Sequence, residues 1–165
     1  MKIQLNYKLD KDTFLKMHYC NFQSGEISKI NKILGPVAIV LCLVTLFLIS
    51  KRGFKNIDIL SFALVLYFYV LRWPLYRLQL TKSFNKYPEK DMEIYWEITD
   101  DYLKAELQEK SQSQITWNFI SKYEKNKEGY LLRRYPVFYW IPFNAFHSEA
   151  DLSNFENLII QKIKN

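Results

Sequence analysis

Charged residues vanish from the chain between Ile33 and Ser50, and from Val37 to Ile49 only Cys42 and Thr45 interrupt the apolar side chains. A helix over that stretch measures about 27 Å, close to the thickness of bilayer hydrocarbon. Its apolar positions run all round and form no single stripe, the pattern of a helix surrounded by lipid. Pro36 falls in the first turn, where its missing N–H removes no intrahelical bond. A second apolar run, Ile59 to Tyr76, contains Arg72 near its end, where the guanidinium can snorkel to phosphates. The two runs predict a membrane hairpin over residues 31–78 that turns around Gly53.

Outside this hairpin the pattern changes twice. Ile3, Leu5, Tyr7 and Leu9 alternate with polar residues, the period of a half-buried strand, and the segment after them reads as a helix capped by Asp10 or Asp12. Residues 1–30 are therefore expected to pack on a sheet domain at 91–165, since a lone strand is unstable. The stretch KSFNKYPEKD has the composition of a linker. Beyond it MEIYWEI, YLKAEL, QITWNFISKYE, YLLRRY and VFYWI predict five strands, the third of them long. Leu152, Phe155, Leu158, Ile159 and Ile163 then form a helical stripe that begins at Ser148. The expected fold class is α+β: a two-helix transmembrane hairpin plus a small antiparallel sheet closed by a C-terminal helix.

Trp117 in one strand, an aromatic strand after a turn, Ile141-Pro142, Phe146 and a closing helix make a sequence pattern that resembles the C-terminal domain of the YcxB-like bacterial membrane proteins. The resemblance implies a pleckstrin-homology-like sheet beside a two-span anchor, and it brings no catalytic residues.

Charge adds orientation and partners. Six basic residues flank the outer ends of the hairpin (Lys29, Lys32, Arg72, Arg77, Lys82 and Lys86), against Lys51, Arg52 and Lys55 in its turn. By the positive-inside rule both termini are expected in the cytoplasm, and the resemblance implies the inner membrane of a bacterial cell. Arg72, Trp73, Tyr76 and Arg77 are expected to anchor the hairpin at the membrane interface, and the sharper alternative makes Arg72 and Arg77 an anionic-lipid site. Lys122, Lys125, Arg133 and Arg134, with Lys127, form a second basic group around one hairpin, a candidate contact for lipid or for a protein partner. The net charge of +6 is expected to meet phospholipid headgroups rather than nucleic acid.

His18 and His147 have no second ligand at metal spacing, so neither a metal nor a cofactor is expected. No phosphate-binding glycine motif or nucleophile elbow occurs, and an enzyme is not expected. The expected function is a cytoplasmic binding module on a two-span anchor, engaging lipid headgroups or a protein. The alternative is an immunity-type membrane protein that neutralises a membrane-active toxin.

Overall fold

The computed structural model describes residues 2–24, 26–108 and 111–163. They form two compact units, one made of residues 1–21 and 84–165 and the other of residues 22–83.

In the first unit, β1 (Lys2–Lys8) pairs antiparallel with β2 (Glu93–Thr99), which continues through β3 (Tyr102–Leu107) to β4 (Ser111–Thr116) in a four-stranded sheet. The register aligns Ile3, Ile98, Leu103 and Ile115 in one row across all four strands, each 3% exposed or less. Strand β1 thus buries its apolar face against residues more than eighty positions away, as its alternation predicts. A second antiparallel sheet runs β5 (Lys122–Lys125), β6 (Gly129–Arg134) and β7 (Val137–Pro142). Tyr130, Leu132 and Ile141 share the core of the first sheet, together with Phe155, Leu158 and Ile159 of the C-terminal helix α5, Glu149–Lys162. The opposite face of the second sheet presents Leu131 and Trp140 to Cys20 of the N-terminal helix α1, Lys11–Ser24. Burial on both faces explains why Tyr130, Leu131 and Leu132 are apolar without alternation.

Two expectations about these elements need correction. QITWNFISKYE is not one strand: a 3-10 turn at Trp117–Phe119 separates β4 from β5, and the two belong to different sheets. Trp117 and Ile120 are both buried while Phe119 is 60% exposed, a three-residue spacing that no strand allows. The indole of Trp117 donates to Thr99 O at 2.9 Å, which ties this turn to the first sheet. The stretch read as a linker is also in part helical, because α4 (Arg72–Lys86) runs to Lys86 and the turn begins only at Tyr87. Phe84 and Tyr87 stay ordered against the ring of Phe14, with centroids 5.2 and 5.8 Å away.

The caps follow the sequence. Asp10 Oδ1 accepts from the amide of Thr13 at 2.8 Å, and Ser148 Oγ accepts from the amide of Asp151 at 3.1 Å.

The second unit contains α2 (Glu26–Arg52), then α3 (Ile59–Leu66), a π turn at Tyr67–Leu71 and the start of α4, which together are continuous. Two helices, Lys32–Arg52 and Asn56–Lys86, are long and apolar enough to cross a membrane. Their connection is closed by Asp58, whose carboxylate receives Arg52 at 2.6 Å and the amide of Lys55 at 2.8 Å.

Candidate functional site

The β5–β6 hairpin divides the four basic residues expected to form one contact. Lys122 stands opposite Arg133 in the register and shares its side of the sheet with Glu124. Glu124 is bound by Lys122 at 3.1 Å and by Arg133 at 2.9 Å, and Arg133 also donates to Asn21 Oδ1 of α1 at 2.9 Å. Lys125 lies on the other side, where its ammonium meets Glu156 of α5 at 2.7 Å and sits over the rings of Tyr130 and Phe143. Arg134 is exposed, with its guanidinium over Phe119 at 5.3 Å. Three of the four cations are therefore engaged by carboxylates from the same unit.

What remains around Arg134 is a small tip of mixed character. Phe119, Tyr135 and Val137 are all exposed there, Tyr135 to 88%. Aromatic rings beside a guanidinium are the composition of residues that work at a membrane–water boundary or at the centre of a protein contact. The signal in the sequence was the tetrapeptide RYPV, which the strand reading absorbed as a connection.

A groove of about 850 Å³ lies on the outward face of the first sheet, lined among others by Gln4, Asn6, Tyr95, Glu97, Lys104 and Glu106. Its charges are paired internally. Glu97 binds Lys2 at 2.9 Å and accepts from the Tyr102 hydroxyl at 2.8 Å, and these bonds, Lys2 first, hold its carboxyl below the usual range. Lys104 and Glu106 approach within 3.6 Å. The alternation in β1, β2 and β3 shows which residues face outward, but not that their surface is concave.

In the second unit Arg72 stacks its guanidinium over the Phe22 ring at 4.7 Å, and Phe22 also contacts Trp73 and Tyr76, with centroids 5.5 and 5.2 Å away. Three of the four expected anchors are thus gathered around one ring. Arg77 is exposed and lies about 140° round the helix from Arg72, outside that cluster.

His18 is enclosed by Phe14 and Phe138, and burial lowers its pKa. Neither Cys20 nor Cys42 is in a disulfide, and burial pushes the Cys20 thiol up to about 11. Among the described residues no group of three or more His, Cys, Asp or Glu could hold a metal ion.

Residues 98–159 match the family model of the YcxB-like proteins. The matched segment contains Trp117, Ile141-Pro142 and Phe146, the residues on which the sequence resemblance rests. Strand β1, α1 and both apolar helices lie outside it. No curated protein and no solved structure matches the chain.

Proposed function

We propose that this chain is a two-span integral protein of a bacterial inner membrane that carries a pleckstrin-homology-like binding module on the cytoplasmic side, where both termini lie. The observation that carries the reading is apolar surface. Val40, Leu43, Phe47, Leu60 and Val70, on both helices, are each at least half exposed, and a hydrocarbon solvent makes that surface favourable. Four strands, then three, then a closing helix around one core support the pleckstrin-homology-like build.

The module engages lipid headgroups through the tip of Phe119, Arg134, Tyr135 and Val137. Arg134 supplies attraction of about 1 kcal/mol near an anionic surface, and the rings supply an interfacial foothold. The other three basic residues contribute less because Glu124 and Glu156 already engage them and offset two of their three charges. The groove on β1–β3, with its paired charges, favours a protein partner as the second reading.

Topology and contact are tested in the full chain with Cys20 and Cys42 replaced. The protein stays in membranes at alkaline pH; Gly53→Cys reacts with an impermeant thiol reagent on intact cells and Asn126→Cys does not. The reverse pattern inverts the topology, and release at alkaline pH removes the spanning reading. Tyr135→Cys carrying an environment-sensitive dye shifts to the blue in anionic vesicles, less so at high salt or with Arg134→Gln. No shift leaves the protein partner as the better account, and a photo-crosslinking residue at Gln4 then gives a discrete protein adduct where one at Ser153 gives none.

A further inference from the structure

A charged group inside an apolar span needs a partner or a path to water, and Arg72 has no carboxylate among the described residues. It lies fourteen residues beyond Asp58, about 20 Å along the helix and so short of a full bilayer crossing. What surrounds it is set by the register of the helical pair. Gly35 on α2 is a point of close approach: a Cβ there would meet the Tyr69 hydroxyl at 3.0 Å, so glycine lets the ring lie against the helix. The helices run in opposite directions. Three residues outward from this contact, one turn less a fraction on each helix, stand Lys32 and Arg72 at the same level.

Between them is a groove of about 630 Å³, lined by Phe22, Lys32, Phe68, Tyr69, Arg72 and Trp73 among others. The π turn at Tyr67–Leu71 widens the second helix where Phe68 and Tyr69 enter this lining. Two cations from two helices thus face one open space with aromatic walls, and Lys32, like Arg72, has no carboxylate partner among the described residues.

We propose that this groove, where Lys32 and Arg72 converge above the Gly35–Tyr69 contact, binds the phosphate of an anionic phospholipid. A guanidinium offers a planar fork that matches two phosphate oxygens, and the Phe22 ring beneath Arg72 fixes the plane of that fork. The Lys32 ammonium supplies a second, compact charge, so a headgroup with no amine of its own is preferred over a zwitterionic one. The aromatic walls accept the glycerol and the first methylenes of the chains, which a free phosphate ion lacks. The site joins Arg72 to Lys32 on the other helix; Arg77, on a different face, is not part of it. This inference rests on the hairpin spanning the bilayer.

Trp73 lines the groove and is the one tryptophan of the hairpin, whereas Trp96, Trp117 and Trp140 are buried in the other unit. The full chain is reconstituted in phosphatidylcholine vesicles containing a minor fraction of brominated lipid, either phosphatidylglycerol or phosphatidylcholine. Quenching that disappears in Trp73→Phe isolates the groove. Brominated phosphatidylglycerol is expected to quench Trp73 well beyond its share of the bilayer, with a preference of about five-fold per cation. Lys32→Gln and Arg72→Gln each lower that preference about five-fold, while Lys32→Arg and Arg77→Gln leave it in place. Inorganic phosphate added to neutral vesicles leaves Trp73 fluorescence unchanged; a change would assign the groove to a soluble phosphate instead. Equal quenching by both lipids overturns the site but keeps the spanning reading, and quenching by neither overturns both.

Discussion

The ammonium of Lys125 on β5 lies 2.7 Å from the carboxylate of Glu156 on α5, and the same carboxylate accepts the hydroxyl of Tyr130. These two bonds, Lys125 first, hold the Glu156 carboxyl below its usual range. Together they fasten the closing helix to the second sheet at its polar margin, beside the ring pair of Tyr130 and Phe155.

A carboxyl whose folded pKa is depressed gives stability that is fully present above its unfolded value, about 4.3, and is lost as the pH falls through the folded value. Glu156→Gln is therefore expected to lower the urea midpoint of the full chain in detergent at pH 6. The cost is about 0.5–1 kcal/mol, since the pair is partly exposed. The gap between the two proteins narrows as the pH falls toward 3. A gap that is constant with pH would show that the Glu156 charge contributes nothing.

Leu5 faces Trp96 across the β1–β2 ladder and is 2% exposed. Leu5→Ala removes a buried side chain from the shared core and is expected to cost about 3 kcal/mol. Deleting residues 2–9 opens β2 as an edge and exposes its apolar row. Limited proteolysis of the full chain then cuts within 92–165 much faster than in the intact protein. Equal resistance would show that β1 is dispensable to the sheet.

Gly129 begins β6 opposite Pro142, and a Cβ on it would meet the backbone oxygen of Ile141 at 2.4 Å and Pro142 Cα at 2.7 Å. Neither is the end of a flexible side chain. Gly129→Ala is expected to destabilise the module by about 1–3 kcal/mol, read from the same urea midpoint. An unchanged midpoint would mean that β7 moves aside at little cost.

Arg133 and Arg134 are adjacent in sequence and differ in consequence. Arg133→Gln loses bonds to Glu124 and Asn21 and so loosens α1 from the second sheet, at about 1–3 kcal/mol. Arg134→Gln changes stability by no more than about 0.5 kcal/mol, because its side chain is exposed. Thermal unfolding of the two variants should separate them clearly; equal midpoints would overturn the assignment of roles.

The pattern of apolar residues by itself determined strands β1, β2 and β3, the closing helix α5 and which face each turns inward. Ile3 and Leu5 have a buried side because alternation forces one, and Ser148 caps α5 because a hydroxyl four residues ahead of the first apolar residue of the stripe finds the free amide of Asp151. The uncharged run to Ile49 likewise demands apolar surroundings whatever the fold. Alternation carries no information about which sheet a strand joins, so only the tertiary structure split QITWNFISKYE at Trp117, whose bond to Thr99 spans eighteen positions. The basic group shows the same limit more sharply. Sequence proximity brought Lys122, Lys125, Arg133 and Arg134 together, but a strand sends neighbouring side chains to opposite faces, and the partners Glu156 and Asn21 come from helices at opposite ends of the chain. Charge that is local in sequence becomes neutral or free only when the fold decides which carboxylate stands beside it.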